Sequence, residues 1–356
     1  MDSAPPSKPK RRPRYKGTHP RKFEEKYKEL APERYRDDVE KIKARGSTPA
    51  GTHRPICVSE ILESLNPRPG ETGLDATLGY GGHARELLNR IRPGGRLVAL
   101  DQDPLERPKT EARLREAGFG AEELIVGPIN FSRAWEFLRG QGVGPVDFVL
   151  ADLGLSSMQI DDPGRGFTFK HEGPLDLRMN PKAGVPAAEW LAKIDEKELT
   201  QLLADNADEP HARQIAAALV RDRPKTTTQL ADSIRGVLKT FSKNVREREG
   251  DTPIRRALQA IRIAINDEFG ALDAFLSDLP HMLKPGGRAA ILTFHSGEDR
   301  RVKKAFQAGE RSGLYARVAP EPIRPSFEEQ RANPRSKPAK LRWAIRSGRA
   351  AQEPDG

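Results

Sequence analysis

Residues 72–84 read Thr72-Gly-Leu-Asp75-Ala-Thr-Leu-Gly79-Tyr-Gly81-Gly82-His83-Ala84. The strand-like run Thr72–Leu78 passes through three glycines into His83–Arg90, where Leu87, Leu88 and Ile91 mark the apolar face of a helix. Glycines at such a turn let the backbone approach a ligand closely, where a side chain would clash. The free amides at the helix start suit an anionic or polar group. Asp101 closes the next apolar run, Arg96–Leu100, 20 residues after Gly81, a position suited to accepting hydrogen bonds from ribose hydroxyls. Gly79-x-Gly81-x-x-Ala84 also satisfies the dinucleotide fingerprint, so on this loop alone a nicotinamide-dependent oxidoreductase stays open.

Outward from this loop, strands alternate with helices. A helix is expected at about 104–117, a strand at Leu124–Val126, a helix at Phe131–Leu138 and a strand at Val146–Ala151 that ends on Asp152. Strands that are apolar throughout indicate a parallel sheet covered on both faces. Ligands bind outside the carboxyl ends of such strands, so the loops at Asp75, Asp101 and Asp152 are expected in one crevice. Three features favour S-adenosylmethionine over a nicotinamide: the extra acid Asp75, the aromatic Phe131 after the third strand, and the loop Asp152-Leu-Gly-Leu-Ser-Ser-Met-Gln159. Residues 165–250 hold helical runs but no convincing strand. The rhythm returns with a long helix at Pro253–Phe269, where Ile254, Leu258, Ile261, Ile265 and Phe269 recur at helical spacing, then Lys284-Pro-Gly-Gly287 and the strand Arg288–Phe294. The expectation is one α/β domain, residues 51–164 and 251–346, interrupted by a helical insertion at 165–250.

The chain has 356 residues with a net charge of +10, placed mostly at its two ends. Ser3–Lys22 carries eight bases and no acid, and Arg300–Arg346 thirteen bases against four acids, leaving the body at 51–299 slightly acidic. Basic ends on a near-neutral body suggest a polyanion partner. The Pro-rich leader within 1–50 reads as disordered and 347–356 as a flexible tail. Phe306, Tyr315, Phe327 and Trp343 mark the basic C-terminal region as folded. No apolar run is long enough to span a membrane, and the N-terminal stretch has no apolar h-region, so secretion is not expected. The single cysteine, Cys57, excludes an internal disulfide or a multi-cysteine zinc site and fits a cytoplasmic setting.

In order along the chain stand Asp75–Ala84, Leu100-Asp-Gln-Asp103, Ala151–Asp162, Arg165-Gly-Phe-Thr-Phe169, Gly173-Pro-Leu-Asp-Leu-Arg-Met179, Gln259-Ala-Ile-Arg-Ile263 with Asn266 and Glu268, Phe294-His-Ser-Gly-Glu-Asp-Arg300, and Asn333-Pro-Arg335. Together these resemble the bacterial small-subunit ribosomal RNA cytosine-N4 methyltransferases, the MraW or RsmH family, from about His53 to Arg342. The resemblance implies a class I S-adenosylmethionine-dependent methyltransferase fold with an inserted all-helical substrate-recognition domain. It implies methylation of a cytidine amine in the decoding region of 16S rRNA within the small ribosomal subunit, by a monomer or homodimer. The implied cofactor contacts are Gly81, Gly82, His83, Asp101, Phe131, Asp152 and Gln159, with no metal. The chain departs from the family pattern at Asn206-Ala-Asp-Glu-Pro210, at Gly297 and at Ser336-Lys-Pro338.

Cytosine N4 is a poor nucleophile because its lone pair is delocalised into the ring, so orientation must supply much of the acceleration. Asp152, or a carbonyl in Leu153–Ser156, is the expected acceptor for the amine. His83 is expected to contact the cofactor. Phe167 or Phe169 would stack the base unless they belong to the core. Ser296-x-x-Asp299 has a capping-box pattern, and Asp176 and Arg178 are placed to pair. RNA contacts are expected from the insertion, from Arg255, Arg256 and Arg262, and from Arg300, Arg301, Lys303 and Lys304. Three other readings stay open: a silent RNA-binding or ribosome-assembly protein, the oxidoreductase, and a DNA amino-methyltransferase.

Overall fold

The computed structural model describes residues 55–348, so the expected leader and nearly all of the expected tail lie outside the described residues. Seven strands form one sheet: β1 (Thr72–Asp75), β2 (Arg96–Leu100), β3 (Leu124–Gly127), β4 (Val146–Asp152), β5 (Leu283–Thr293), β6 (Tyr315–Val318) and β7 (Lys340–Arg346). Their spatial order is β3-β2-β1-β4-β5-β7-β6. The first five pair in parallel, and β7 runs antiparallel between β5 and β6. This is the class I methyltransferase sheet, and its strand order reverses between β1 and β4, where such sheets bind ligands.

Side chains alternate across the sheet, and each face buries its own cluster. Leu74, Val98, Val149, Ala151 and Ile291 pack under the helix Glu268–Met282 through Leu272, Phe275 and Leu279. Leu97, Ala99, Leu150, Ala290 and Leu292 pack under the helices Val58–Leu65 and Gly82–Ile91. The expected double cover of a parallel sheet is therefore present.

Between β4 and β5 lie helices that share a third cluster, including Leu199, Leu203, Ile215, Leu219, Leu230 and Ile234. Asp195 and Thr226 accept hydrogen bonds from the backbone N–H groups of Glu198 and Gln229, satisfying helix starts that would otherwise be orphaned. Ile254, Leu258 and Ile261 join this cluster, so the helix Thr252–Ile265 packs with the helices before it.

Several local expectations are corrected. The helix expected over Pro253–Phe269 stops at Ile265, and a new one starts at Glu268 after Asp267 adopts φ 47°. The strand expected to start at Arg288 starts at Leu283, so Lys284–Gly286 is an exposed excursion inside β5, with a register shift against β4 between Val146 and Phe148. β1 ends at Asp75 rather than Leu78, and Phe131–Arg133 is a 3-10 turn before the helix Ala134–Gly140. His295, not Ser296, caps the helix Ser296–Arg311, its Nδ1 accepting from Glu298 N at 3.4 Å.

Candidate active site

Parallel pairing continues past the strand ends and aligns the loops. Ala76 N donates to Leu150 O, Leu78 N to Leu100 O, and Leu153 N to Leu292 O, at 2.8, 2.8 and 2.9 Å. Asp75, Asp101 and Asp152 thereby end three neighbouring strands on the same edge of the sheet.

Each acid is held differently. Asp75 is buried, with Oδ1 accepting Thr77 N at 3.0 Å and Oδ2 without a hydrogen-bond partner. Burial pushes its carboxyl up to about 6, against the pull of the Thr77 amide and of His83. Asp101 accepts Gly79 N at 2.8 Å and Asp103 N at 2.7 Å, and burial likewise pushes it up to about 6. Asp152 is positioned by its own amide, which donates to Thr77 Oγ1 at 2.6 Å. Its side chain is 30% exposed, with Oδ2 3.5 Å from His83 Nε2. Burial opposes charge on His83, but Asp152 and Asp75 outweigh it and raise the imidazole above its ordinary range. The arrangement is a crevice of excess negative charge with one imidazole, suited to a cationic ligand.

The glycines meet neighbours as well as open space. Gly81 has φ +77°, and a Cβ there would lie 2.8 Å from the Thr110 methyl; at Gly82 it would lie 2.3 Å from Pro55 Cγ. Thr110 also donates to Gly79 O at 2.7 Å, so the loop is braced from the helix Arg107–Glu116. Phe131 is half-buried, edge-on to Phe275 at 5.4 Å. Gln159 completes a capping box with Ser156 and donates Nε2 to Asp103 Oδ2 at 2.8 Å.

Sequence reasoning missed the hub at Asp103. This buried carboxylate also accepts from Arg165 Nη1 at 2.7 Å. Burial works against its charge, yet Arg165 and Gln159 hold it below the usual carboxylate range. Arg165 reaches on to Met179 O at 2.8 Å, and Asn266 clamps the same turn, donating to Leu177 O at 2.8 Å and accepting Met179 N at 2.7 Å. Leu177 is a buried non-glycine residue at φ 62°. Such strain persists only where the surroundings over-determine it. Met179 Sδ lies 3.3 Å from Gln102 Nε2, beside the Asp101 loop.

Other expectations resolve plainly. Phe167 is buried in the helical cluster, so it is a core residue, and the half-buried Phe169 packs against that cluster. Asp176 and Arg178 form a bidentate pair at 2.7 and 2.8 Å. Arg255 is exposed, whereas Arg262 turns inward onto Glu268 at 2.7 and 2.9 Å and Arg256 lies near Glu209 and Glu249. Arg301 pairs with Asp273 and sits over the Phe269 ring, and Arg300 lies 4.0 Å from Asp208. Burial, with Glu329, Glu60 and Asp152 nearby, drives the Cys57 thiol far above its ordinary range, which removes it as a nucleophile. Among the described residues no helix is long and apolar enough to cross a membrane.

Residues 50–347 match the model of the MraW methylase family. The chain is 52% identical over 343 residues to ribosomal RNA small subunit methyltransferase H 1 of Lachnoclostridium phytofermentans, covering 95% of this chain and 93% of that protein. It is 52% identical over 345 residues to ribosomal RNA small subunit methyltransferase H 2 of Alkaliphilus metalliredigens, covering 96% and 98%. Ribosomal RNA small subunit methyltransferase H of Acidobacterium capsulatum is 38% identical over 297 residues, covering 82% and 97%.

Proposed function

The chain belongs to the MraW methylase family of S-adenosylmethionine-dependent methyltransferases, and on that premise we propose that it methylates N4 of one cytidine in the decoding region of 16S rRNA, within the small ribosomal subunit. In this reading residues 165–250 form a substrate-recognition domain inserted into a catalytic domain at 51–164 and 251–346. The protein works in the cytoplasm as a monomer or homodimer.

The site's residues fit the methyl donor. S-adenosylmethionine, when bound, supplies a methyl group made electrophilic by a sulfonium cation. The unpartnered buried oxygen of Asp75, with Asp101 and Asp152 on the same edge, gives that cation a complementary field. Gly81, Gly82, His83, Asp101, Phe131, Asp152 and Gln159 would hold the donor.

The protein's own contribution is orientation and hydrogen bonding. Thr77 fixes the backbone of Asp152, and His83 faces one of its carboxylate oxygens. The exposed part of Asp152 accepts a hydrogen bond from the cytidine amine as the nitrogen loses planarity, which makes its lone pair available. The helix Ser157–Asp161 and Arg335, which donates to Ser157 O at 3.2 Å, hold the loop after Asp152 in place. A base at this depth must leave its stack, which favours a single-stranded or flipped cytidine.

The adjacency of Asp75, His83 and Asp152 at the carboxyl ends of β1 and β4 carries this reading. Mass spectrometry of 16S rRNA from cells lacking the gene should show loss of one N4-methylcytidine. Wild-type protein should restore it and Asp152→Ala should not. An unchanged nucleoside profile in the deletion strain would refute the substrate, and full restoration by Asp152→Ala would refute the residue's role.

A further inference from the structure

We propose that Phe327 is a stacking platform for an unpaired base of the RNA substrate, mounted at the rim of the methyl-transfer crevice; this deepens, and rests on, the RNA-methylating reading above. Phe327 is 81% exposed, while the next most exposed large apolar side chains among the described residues, Leu105 and Val185, reach 43%. An exposed phenyl ring keeps both its apolar area and its π face available to a partner.

The ring stands on a fixed mount. It opens the helix Phe327–Ala332, whose start is capped by Ser326 Oγ accepting Glu329 N at 3.1 Å. On one side, the Glu329 carboxylate accepts Cys57 N at 3.0 Å and lies within the field of His83, the imidazole paired with Asp152. On the other, Arg335 bonds to Ser157 O and to Asp161, on the helix that follows the Asp152 loop. The segment is thus tied both to the residues beside His83 and to the helix after Asp152, and Phe327 stands two residues before the first of these ties.

The chemistry around the ring selects the occupant. Arg324, Arg331 and Lys337 are exposed nearby in sequence, against the exposed acids Glu321 and Glu328. A phenyl ring has no hydrogen-bonding group, so it accepts the face of any base, while neighbouring cations neutralise the phosphates on either side. Phe167 is committed to the helical core and Phe169 packs against it, which leaves this task open. A second copy of the chain is the less suitable partner, because a lone ring amid cations offers neither a broad apolar patch nor opposite charge.

The test is a steady-state methylation assay on small ribosomal subunits with wild type, Phe327→Ala, Phe327→Leu and Phe327→Trp. Phe327→Ala should raise KM for the subunit about tenfold, in line with losing one base–aromatic stack. Its kcat at saturating subunit, its affinity for S-adenosylhomocysteine and its thermal midpoint should stay at wild-type values. Phe327→Trp should restore KM, and Phe327→Leu, apolar but without a π face, should not. The proposal is overturned if Phe327→Ala stays within twofold of wild type or if Phe327→Leu equals wild type. It is also overturned if the substitution only dissociates a dimer seen by sedimentation. Failure of wild type to methylate the subunit at all would instead strike the underlying reading.

Discussion

Asp75 is buried, with one carboxylate oxygen unpartnered and the His83 imidazole as the opposing charge in its field. With its carboxyl raised to about 6, ionisation at neutral pH costs the empty protein of the order of 3 kcal/mol. The folded state binds this proton more tightly than the unfolded chain. The stabilising contribution is therefore fully present below the ordinary carboxylate value and is lost as pH rises through about 6. A cationic ligand reverses that penalty. Preference for S-adenosylmethionine over its uncharged thioether product should fall several-fold between pH 8 and pH 5, and Asp75→Asn should flatten the dependence. Calorimetric titration of both ligands at the two pH values measures this, and a pH-independent ratio in wild type would count against the electrostatic role. Asp101 and Asp152 were legible as strand-end acids because each closes an apolar run, whereas the run through Asp75 continues to Leu78 and hid the true end of β1. Thr77, Arg165 and Asn266 were not legible, because each acts on a partner far along the chain. Thr77 holds a residue 75 positions away and Asn266 one 87 away, separations that no local pattern encodes.

Among the elements, the parallel half of the sheet was readable and the antiparallel half was not. β2 runs from Arg96 to Leu100 as expected, since a strand buried on both faces is a plain apolar block bounded by turns. β7 reads Lys340-Leu-Arg-Trp-Ala-Ile-Arg346, and its cations disguise it: Arg342 is buried against Asp299 at 2.7 Å, with Lys340 on the other oxygen at 2.6 Å. The helix break at Asn266 was hidden for a similar reason. The apolar repeat runs on to Phe269, but the Asn266 side chain is spent on the strained Leu177–Met179 turn. Asn266→Ala would leave a buried carbonyl and a buried amide unpaired, at a cost of about 2 kcal/mol. Urea unfolding should show that loss. Because Met179 rests on Gln102, S-adenosylhomocysteine should bind more weakly as well. Stability and affinity both at wild-type values would mean that the turn holds its shape without the clamp.

For the molecule as a whole, charge placement and fold serve different ends. The described sheet and helices account for the donor crevice, whereas most of the net charge of +10 falls on residues 1–50, outside the described residues. If that charge serves RNA, affinity for the small subunit should fall by about a thousandfold or more between roughly 50 and 200 mM salt, as expected for six or more phosphate contacts. A flat response in filter binding would assign the charge elsewhere. The helical segment was legible as a lapse in the strand–helix rhythm. That Thr252–Ile265 packs with it was not, because an amphipathic helix shows which of its faces is apolar but not what covers it.

β7 lies between β5 and β6 although it is made after both, with six residues paired along β5. A chain that ends between residues 318 and 340 therefore has every strand-end acid in place but leaves β5 and β6 without the strand that joins them, an open edge ready to pair with another unfinished copy. Loss of the last strand should thus yield a chain prone to pair edge to edge rather than a merely weakened enzyme.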